Sequence, residues 1–485
     1  MSFVLYEINT RCWLRELTDR LGHPVTLETV PESEFHEWQR LGFTHVWLMG
    51  VWTSGPKSRA AALAVGDLQK TYGSDQHRVS ADDIVASPYS IASWTVPEAL
   101  GGELGLRVFR ERLNRMGIRL ILDFVPNHLG LDHPWLQNRP QLFVQSDSER
   151  EGAFSQATEM GVRWIAHGRD PYFPPWTDTA QLDYRLIETR EAMLGELLRI
   201  AERCDGIRCD MAMLLLQDVF AKTWSDWPSA GKTIASGEEE FWSKAIRGVK
   251  ERHPDFLFVG EVYWNLEARL QTLGFDFTYN KELYDEIVRR DVGAIGRRLS
   301  NAKPGFLARS LHFLENHDEP RIASLLAEPE HRTTAVLLLS LPGMCLLHDG
   351  QLSGAKFKSA VQLGRRPVEP VQTSIRNFYE RLLAVTTRLP TDPKQFQMLQ
   401  SGPGDGPLLL LWRIDASSFW LIAVNLHTRP IEMEWAPNVE MNRAAILVSD
   451  KFQAADVPVE IVCKPTSFHL NLPPLAAGIF RIAIR

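Results

Sequence analysis

The 485-residue sequence predicts an α/β fold: a (β/α)8 TIM barrel with a loop subdomain inserted after strand 3 and a C-terminal antiparallel β domain. Three observations lead there. Eight short β-type runs alternate with helical patterns from residue 4 to about 390, which argues a parallel sheet with crossover helices. One stretch, 128–181, interrupts that alternation with Pro, Gly and aromatic residues. From residue 394 to the end, only short β-rich runs separated by turn residues remain.

The eight strands are expected at Val4–Ile8, His45–Val51, Leu120–Phe124, Gly206–Asp210, Leu257–Glu261, Phe275–Tyr279, Leu311–Glu315 and Cys345–Leu347. In the intervening Gly102–Met116, apolar Leu106, Phe109, Leu113 and Met116 recur at the spacing of one helix face. Ile375, Phe378, Leu382 and Val385 repeat it in Ser374–Thr387, and a helix after an eighth strand is what closure of a barrel requires. The expected domains are therefore 1–127 with 182–393 as the barrel, 128–181 as the insertion and 394–485 as a β-sandwich. The insertion carries Trp135, Phe143, Trp164, Tyr172, Phe173 and Trp176, and its segment Asp170–Trp176 reads equally as flat rings that wall a cleft and as ordinary loop packing by Pro and aromatics.

Composition narrows the function. With 53 Lys plus Arg against 60 Asp plus Glu, the net charge of −7 argues against a general nucleic-acid binder, which needs clustered cations. Cys12, Cys204, Cys209, Cys345 and Cys463 form no C-x-x-C pair and read as reduced thiols. The start has no cationic segment leading into an apolar run and a cleavage site, so a cytoplasmic location is expected. The longest greasy stretch, Ala335–Leu347, is interrupted by Ser340, Pro342 and Gly343 and is too short to span a bilayer, so no membrane partner is expected.

Four strands end in ionisable residues, and the carboxyl ends of barrel strands converge on one face where active sites form. Strand three leads through Asp123 to Asn127 and His128, strand four carries Arg208 and Asp210, strand five ends at Glu261, and strand seven runs into His317 and Asp318. Alone, each acid reads more readily as a salt-bridge partner or a cap. Together and in order, they read as a site. Arg208, two positions before Asp210 on the same strand face, keeps that carboxylate ionised. Glu261 lies among Val259, Val262 and Trp264, where burial raises its pKa. One ionised and one protonated carboxyl at a common centre is the pairing that cleaves glycosidic bonds. Asp318 is then a third charge, suited to an oxocarbenium-like transition state or to sugar hydroxyls.

The blocks Asp123-Phe-Val-Pro-Asn127-His128, Gly206-Ile-Arg208-Cys-Asp210, Gly260-Glu261 and Asn316-His317-Asp318 resemble the four sequence regions of the α-amylase family, glycoside hydrolase family 13. The resemblance spans essentially the whole chain, with 128–181 in the place of that family's domain B. It implies a retaining enzyme acting on α-glucans or maltooligosaccharides, with Asp210 as nucleophile, Glu261 as acid/base and Asp318 as transition-state stabiliser. It also implies that Asp123, His128, Arg208 and His317 bind the sugar at the point of cleavage, and that Tyr89 stacks beneath that sugar. Asn127 matches a calcium ligand of some members, so calcium enters as an optional cofactor and none is required.

Departures from that pattern matter. Where many members place a Lys-His pair three and four residues after the nucleophile, this chain has Met213 and Leu214, so recognition of the leaving group must differ. The family's Gly-Tyr-Asp is here Pro88-Tyr89-Ser90, and its later Asp-Tyr is Ser93-Trp94. A sugar acceptor in place of water would make the protein a transglycosylase or isomerase. A catalytically silent carbohydrate-binding protein is a further alternative, against which the three acids speak. A phosphate-binding barrel would want a Gly-rich loop after strands seven or eight, and His348–Gly354 is a poor one.

Overall fold

The computed structural model describes residues 3–64, 80–159, 161–229, 237–399, 406–435, 446–454, 457–464 and 467–484. Eight parallel strands close a barrel: β1 (Phe3–Asn9), β2 (His45–Met49), β3 (Arg119–Phe124), β4 (Gly206–Cys209), β5 (Leu257–Gly260), β6 (Phe277–Tyr279), β7 (Ser310–Phe313) and β8 (Met344–His348), with β8 returning to pair with β1. Their fully buried faces explain why they read as continuous apolar runs rather than as alternating ones. Each expected strand is present, but β4 and β5 stop one residue before Asp210 and Glu261. These acids occupy the first loop position beyond the strand ends, free of the ladder's side-chain alternation.

Helices ring the barrel because each crossover buries one stripe. Gly102–Arg115 buries Leu106, Phe109 and Leu113, and Thr373–Thr386 buries Ile375, Phe378 and Leu382, the faces that spacing predicts. The apolar stretch 335–347 is the end of helix Glu328–Leu339 and the start of β8, folded back through Gly343. That turn needs glycine, since its φ is +116° and a Cβ would meet the Ser310 carbonyl oxygen at 2.4 Å. Among the described residues, no helix is long and apolar enough to cross a membrane.

Three regions leave the alternation, where sequence reading finds two. The first, missed, lies between β2 and its helix and is described over residues 50–64 and 80–101. It contains a short antiparallel pair, Thr53–Ser54 with Ile91–Ser93, and the helix Pro56–Ala64. Its Ala-rich helix carries little apolar periodicity, so nothing in composition sets it apart from an ordinary crossover. In the second, His128 and Gln181 face each other in an antiparallel pair that closes the base of the excursion. A three-stranded sheet of Gln145–Ser146, Ala153–Thr158 and Gly161–Ala166 lies within it.

The third is C-terminal. A five-stranded antiparallel sheet and a three-stranded one, Ile431–Trp435, Phe468–Leu472 and Glu460–Cys463, enclose a core of Leu409, Leu411, Phe419, Leu421, Phe468 and Phe480. Alternation along strand Leu408–Arg413 turns Leu410 and Trp412 the other way, into the barrel's core, where the Trp412 indole donates to the Ser340 carbonyl at 2.8 Å. The same residue pattern thus fills one core and docks onto another.

Candidate active site

Register brings the first layer of the site together. Across the parallel ladders Glu7 is paired with Trp47 and Arg208 with Asp123, so all four side chains point into the barrel. Arg208 is fully buried, which a guanidinium tolerates only when its charge is matched. Its Nη1 donates to Asp210 Oδ1 at 2.5 Å and its Nη2 lies 2.8 Å from Glu261 Oε2. Its Nε donates to the Tyr279 hydroxyl at 3.3 Å, and Trp47 and Tyr89 present their rings to it at 5.3 and 5.2 Å. One cation therefore joins two carboxyls from adjacent strand ends.

Glu261 is held on both oxygens. Oε1 accepts from the Tyr263 hydroxyl at 2.8 Å and Oε2 from the Met211 backbone N–H at 2.7 Å. Met211, directly after Asp210, has φ +43°, a left-handed conformation that is strained for a side chain of its size. That strain aims its N–H at Glu261 and ties the two acids through the backbone as well. Burial pushes the Glu261 carboxyl up to about 7, against the pull of Arg208. Burial also lifts Asp210 above the ordinary carboxylate range, with Arg208 opposing it. Sequence reading counts Arg208 for Asp210 but not the loss of water around it, and the structure adds that second effect.

On the other side, His317 Nδ1 lies 2.5 Å from Glu7 Oε1, and its Nε2 lies 2.9 Å from Asp318 Oδ2 and 2.7 Å from the Tyr89 hydroxyl. Burial alone would strip the charge from this imidazole, but Asp318 and Glu7 reverse that and raise it to about 10. Burial works against ionisation of Asp318 as well, yet the imidazolium holds its carboxyl well below its usual range. Asp318 is nonetheless the open member of the cluster, its side chain 45% exposed against 8% for Asp210 and 3% for Glu261. Its loop is shaped by Asn316, whose Oδ1 accepts the N–H groups of Asp318 and Glu319 at 2.9 and 3.0 Å.

The remaining expected residues fall around this core. The Tyr89 ring stacks on His317 at 5.4 Å. Asp123 is buried and accepts from the Trp47 indole and from the Gly50 N–H, both at 3.1 Å, and burial raises its carboxyl to about 7. His128, lowered to about 4 by burial and hence neutral, packs on Trp176 at 5.1 Å. Asn127 exchanges amide hydrogen bonds with Gln181, at 3.0 and 3.2 Å. Among the described residues no three His, Cys, Asp or Glu side chains form a ligand group. Calcium wants six to eight oxygens rich in carboxylate, so an amide pair beside an imidazole is a poor fit for it.

Sequence reading missed Glu7, Tyr263 and Tyr279. Glu7 had a signal, an acid inside the apolar run of β1. The two tyrosines had none, because the choice of hydroxyl partner is made only by the fold.

Comparisons with known proteins place the family and the fold. The family model described as "Alpha amylase, catalytic domain" matches residues 38–362. Among curated proteins, an α-amylase, MalA, of Haloarcula japonica is 26% identical over 267 residues, 53% of this chain and 35% of that protein. The trehalose-6-phosphate hydrolase of Escherichia coli is 24% identical over 324 residues, 55% of this chain and 56% of that one. The chain thus aligns with between a third and just over half of the length of these relatives. Among solved structures, an α-amylase from Lactobacillus plantarum superposes with a TM-score of 0.68 at 17% identity, covering 99% of this chain and 98% of that one. A debranching enzyme from Nostoc punctiforme gives 0.67 at 15%, covering 99% and 98%. With the family model spanning well over half of its length, the chain belongs to the α-amylase family through its catalytic domain.

Proposed function

We propose that the protein is a retaining glycosidase that cleaves α-glucosidic bonds of α-glucans or maltooligosaccharides through a covalent glycosyl-enzyme. The observation that carries this reading is the single guanidinium of Arg208 spanning Asp210 and Glu261, with Asp318 open beside them. That spacing suits two carboxyls acting on one anomeric carbon rather than on opposite sides of an intervening water.

In the first step Asp210 Oδ bonds to the anomeric carbon while Glu261 passes its proton to the departing glycosidic oxygen. Once Glu261 carries that proton, the charge of Arg208 faces Asp210 alone and favours the ionised nucleophile. Asp318, kept anionic by the imidazolium of His317, offsets the positive charge that develops on the sugar ring. In the second step Glu261, now a carboxylate, takes a proton from the acceptor as the acceptor oxygen displaces Asp210. Water as acceptor gives hydrolysis, and a sugar gives transfer or isomerisation. Asn127 and calcium take no part in these steps.

The four described cysteines other than Cys463 are buried and free, which supports a reducing, cytoplasmic setting. The acidic net charge supports a substrate other than nucleic acid. The test is to incubate the protein with maltoheptaose, sucrose and trehalose, and to follow products and their anomeric configuration by chromatography and NMR. Shorter α-anomeric sugars are expected from maltoheptaose. Initial β-anomers would overturn the double displacement, and no product from any α-glucoside would favour a silent binding protein.

A further inference from the structure

The two bonds that link a glucose unit into an α-1,4 chain leave its ring at opposite ends, C1 and C4. In the closed ring of eight strands β1 stands opposite β5. With the leaving oxygen at Glu261, just beyond β5, the rest of a donor chain must therefore depart across the barrel mouth, over β8, β1 and β2. What lies over that sector decides how many donor sugars can be held.

Two loop segments meet there. Residues 354–372, which follow β8, contain no helix or strand and cross to the excursion after β2. Their near end is clamped by Glu369, whose two carboxylate oxygens accept the Lys356 and Phe357 N–H groups at 2.8 and 3.1 Å. Beside that clamp the Lys358 ammonium donates to the backbone carbonyl of Asp318, the open acid. At the far end the backbones join. The Val85 N–H donates to the Gln362 carbonyl at 2.9 Å and the Gly364 N–H to the Asp83 carbonyl at 2.8 Å. Leu363 is fully buried there with Ile84 and Ala62, and Arg365 lies 3.0 Å from the Asp83 carboxylate. Five residues beyond Ile84 comes Tyr89, bonded to His317, which in turn meets Asp318. A circuit of chain and contacts thus runs from Asp318 through Lys358, Leu363, Ile84 and Tyr89 to His317.

We infer that this strap closes the donor side one sugar behind the point of cleavage, so that the protein takes α-glucans only by their non-reducing terminal glucose. The inference deepens the glycosidic reading and rests on it. The wall begins at the backbone of Asp318, beside the ring being transferred, and a second donor unit would need the space the strap takes. Moving the strap aside would expose Leu363 while breaking two backbone hydrogen bonds and the Arg365–Asp83 pair, so it does not open freely. A terminal unit has a free 4-hydroxyl where an internal unit carries another sugar, and a closed end sorts the two.

Three substrates test this: maltoheptaose labelled at its reducing end, a 4-nitrophenyl α-maltoheptaoside whose terminal O4 and O6 carry an ethylidene block, and α-cyclodextrin, which has no end. The strap predicts labelled maltohexaose as the first labelled product, and rates on the blocked and cyclic substrates below about a tenth of that on maltoheptaose. Shorter labelled products at the earliest times, or higher rates on either protected substrate, would overturn the strap while leaving the glycosidic reading intact. In Leu363→Ala/Arg365→Ala, which loosens the far anchor away from the acids, attack on the blocked heptaoside should rise about tenfold over wild type. Hydrolysis of 4-nitrophenyl α-glucoside, a single donor unit, should be unchanged. A blocked heptaoside as resistant in the variant as in wild type would remove the strap as the cause. A wild-type protein inert on maltoheptaose and 4-nitrophenyl α-glucoside alike would overturn the glycosidic reading and the strap with it.

Discussion

The two halves of the site are built from different physics. On the proposed donor side Glu7, Arg208, His317 and Asp318 meet charge with charge, and Asp123 accepts from the neutral Trp47 indole, each with a partner within 3.1 Å. On the proposed leaving side Met213 and Leu214 are core residues, and the rings of Tyr172 and Phe173 face solvent. Charge that develops in a transition state is stabilised best by groups already fixed in place, as Arg208 and His317 are by their carboxylate partners. A partner that changes from one turnover to the next is better met by flat surface. On the proposed reading, the contrast assigns the chemistry to the charged half and the choice of partner to the other.

The largest effect that would sharpen this contrast is at the proposed nucleophile, Asp210. Asp210→Asn, which keeps a hydrogen-bonding partner for Arg208, should lower kcat on maltoheptaose by about 10³-fold or more. Residual activity above about a tenth, a barrier change of only ~1.4 kcal/mol, would show that the reaction runs without Asp210. Next comes Glu261→Gln, expected to cost about 10²–10⁴ in kcat/KM on oligosaccharides. The loss should be much smaller on a glycosyl fluoride, whose leaving group needs no proton, and equal losses on both would break the assignment.

Glu7→Gln probes the donor network without touching either acid. A loss of about tenfold in kcat is expected, because His317 would keep Asp318 but lose the second of the two carboxylates that hold it as a cation. The sign of the accompanying pH effect follows from the raised pKa of His317. Its stabilisation is complete below pH 6.5 and lost as pH rises through about 10, so the wild-type melting temperature should decline across that window. In Glu7→Gln the decline should be shallower, and identical slopes in calorimetric scans would remove Glu7 from the network. The smallest effect is at Tyr263. Since Glu261 titrates near 7, kcat/KM should fall above that pH. Tyr263→Phe, by withdrawing a hydrogen bond that favours the carboxylate, should move this basic limb upward by about one pH unit.

Much of this architecture is legible in the residues, for reasons that differ from place to place. The barrel strands stand out because strands covered on both faces leave unbroken apolar runs, and the three acids stand out because they end such runs. Glu7 has the same kind of signal but sits mid-strand, where an acid is easily taken for a solvent-facing residue. The excursion 50–101 escapes notice because its polarity resembles that of any crossover. Tyr172 and Trp264 come from loops 92 positions apart, and no local pattern announces that they touch. The raised carboxyl of Asp210 needs the depth of its burial, a quantity no sequence neighbour encodes.

The Glu7–His317 contact has a consequence for how the protein matures. Its two ends come from the first and seventh staves of the cylinder, 310 residues apart, and the eighth stave lies between them and pairs with both. A chain still emerging from the ribosome, with most of its staves already assembled, would therefore lack the charged histidine beside Asp318. The charge pairing of this histidine is completed only when the ring closes.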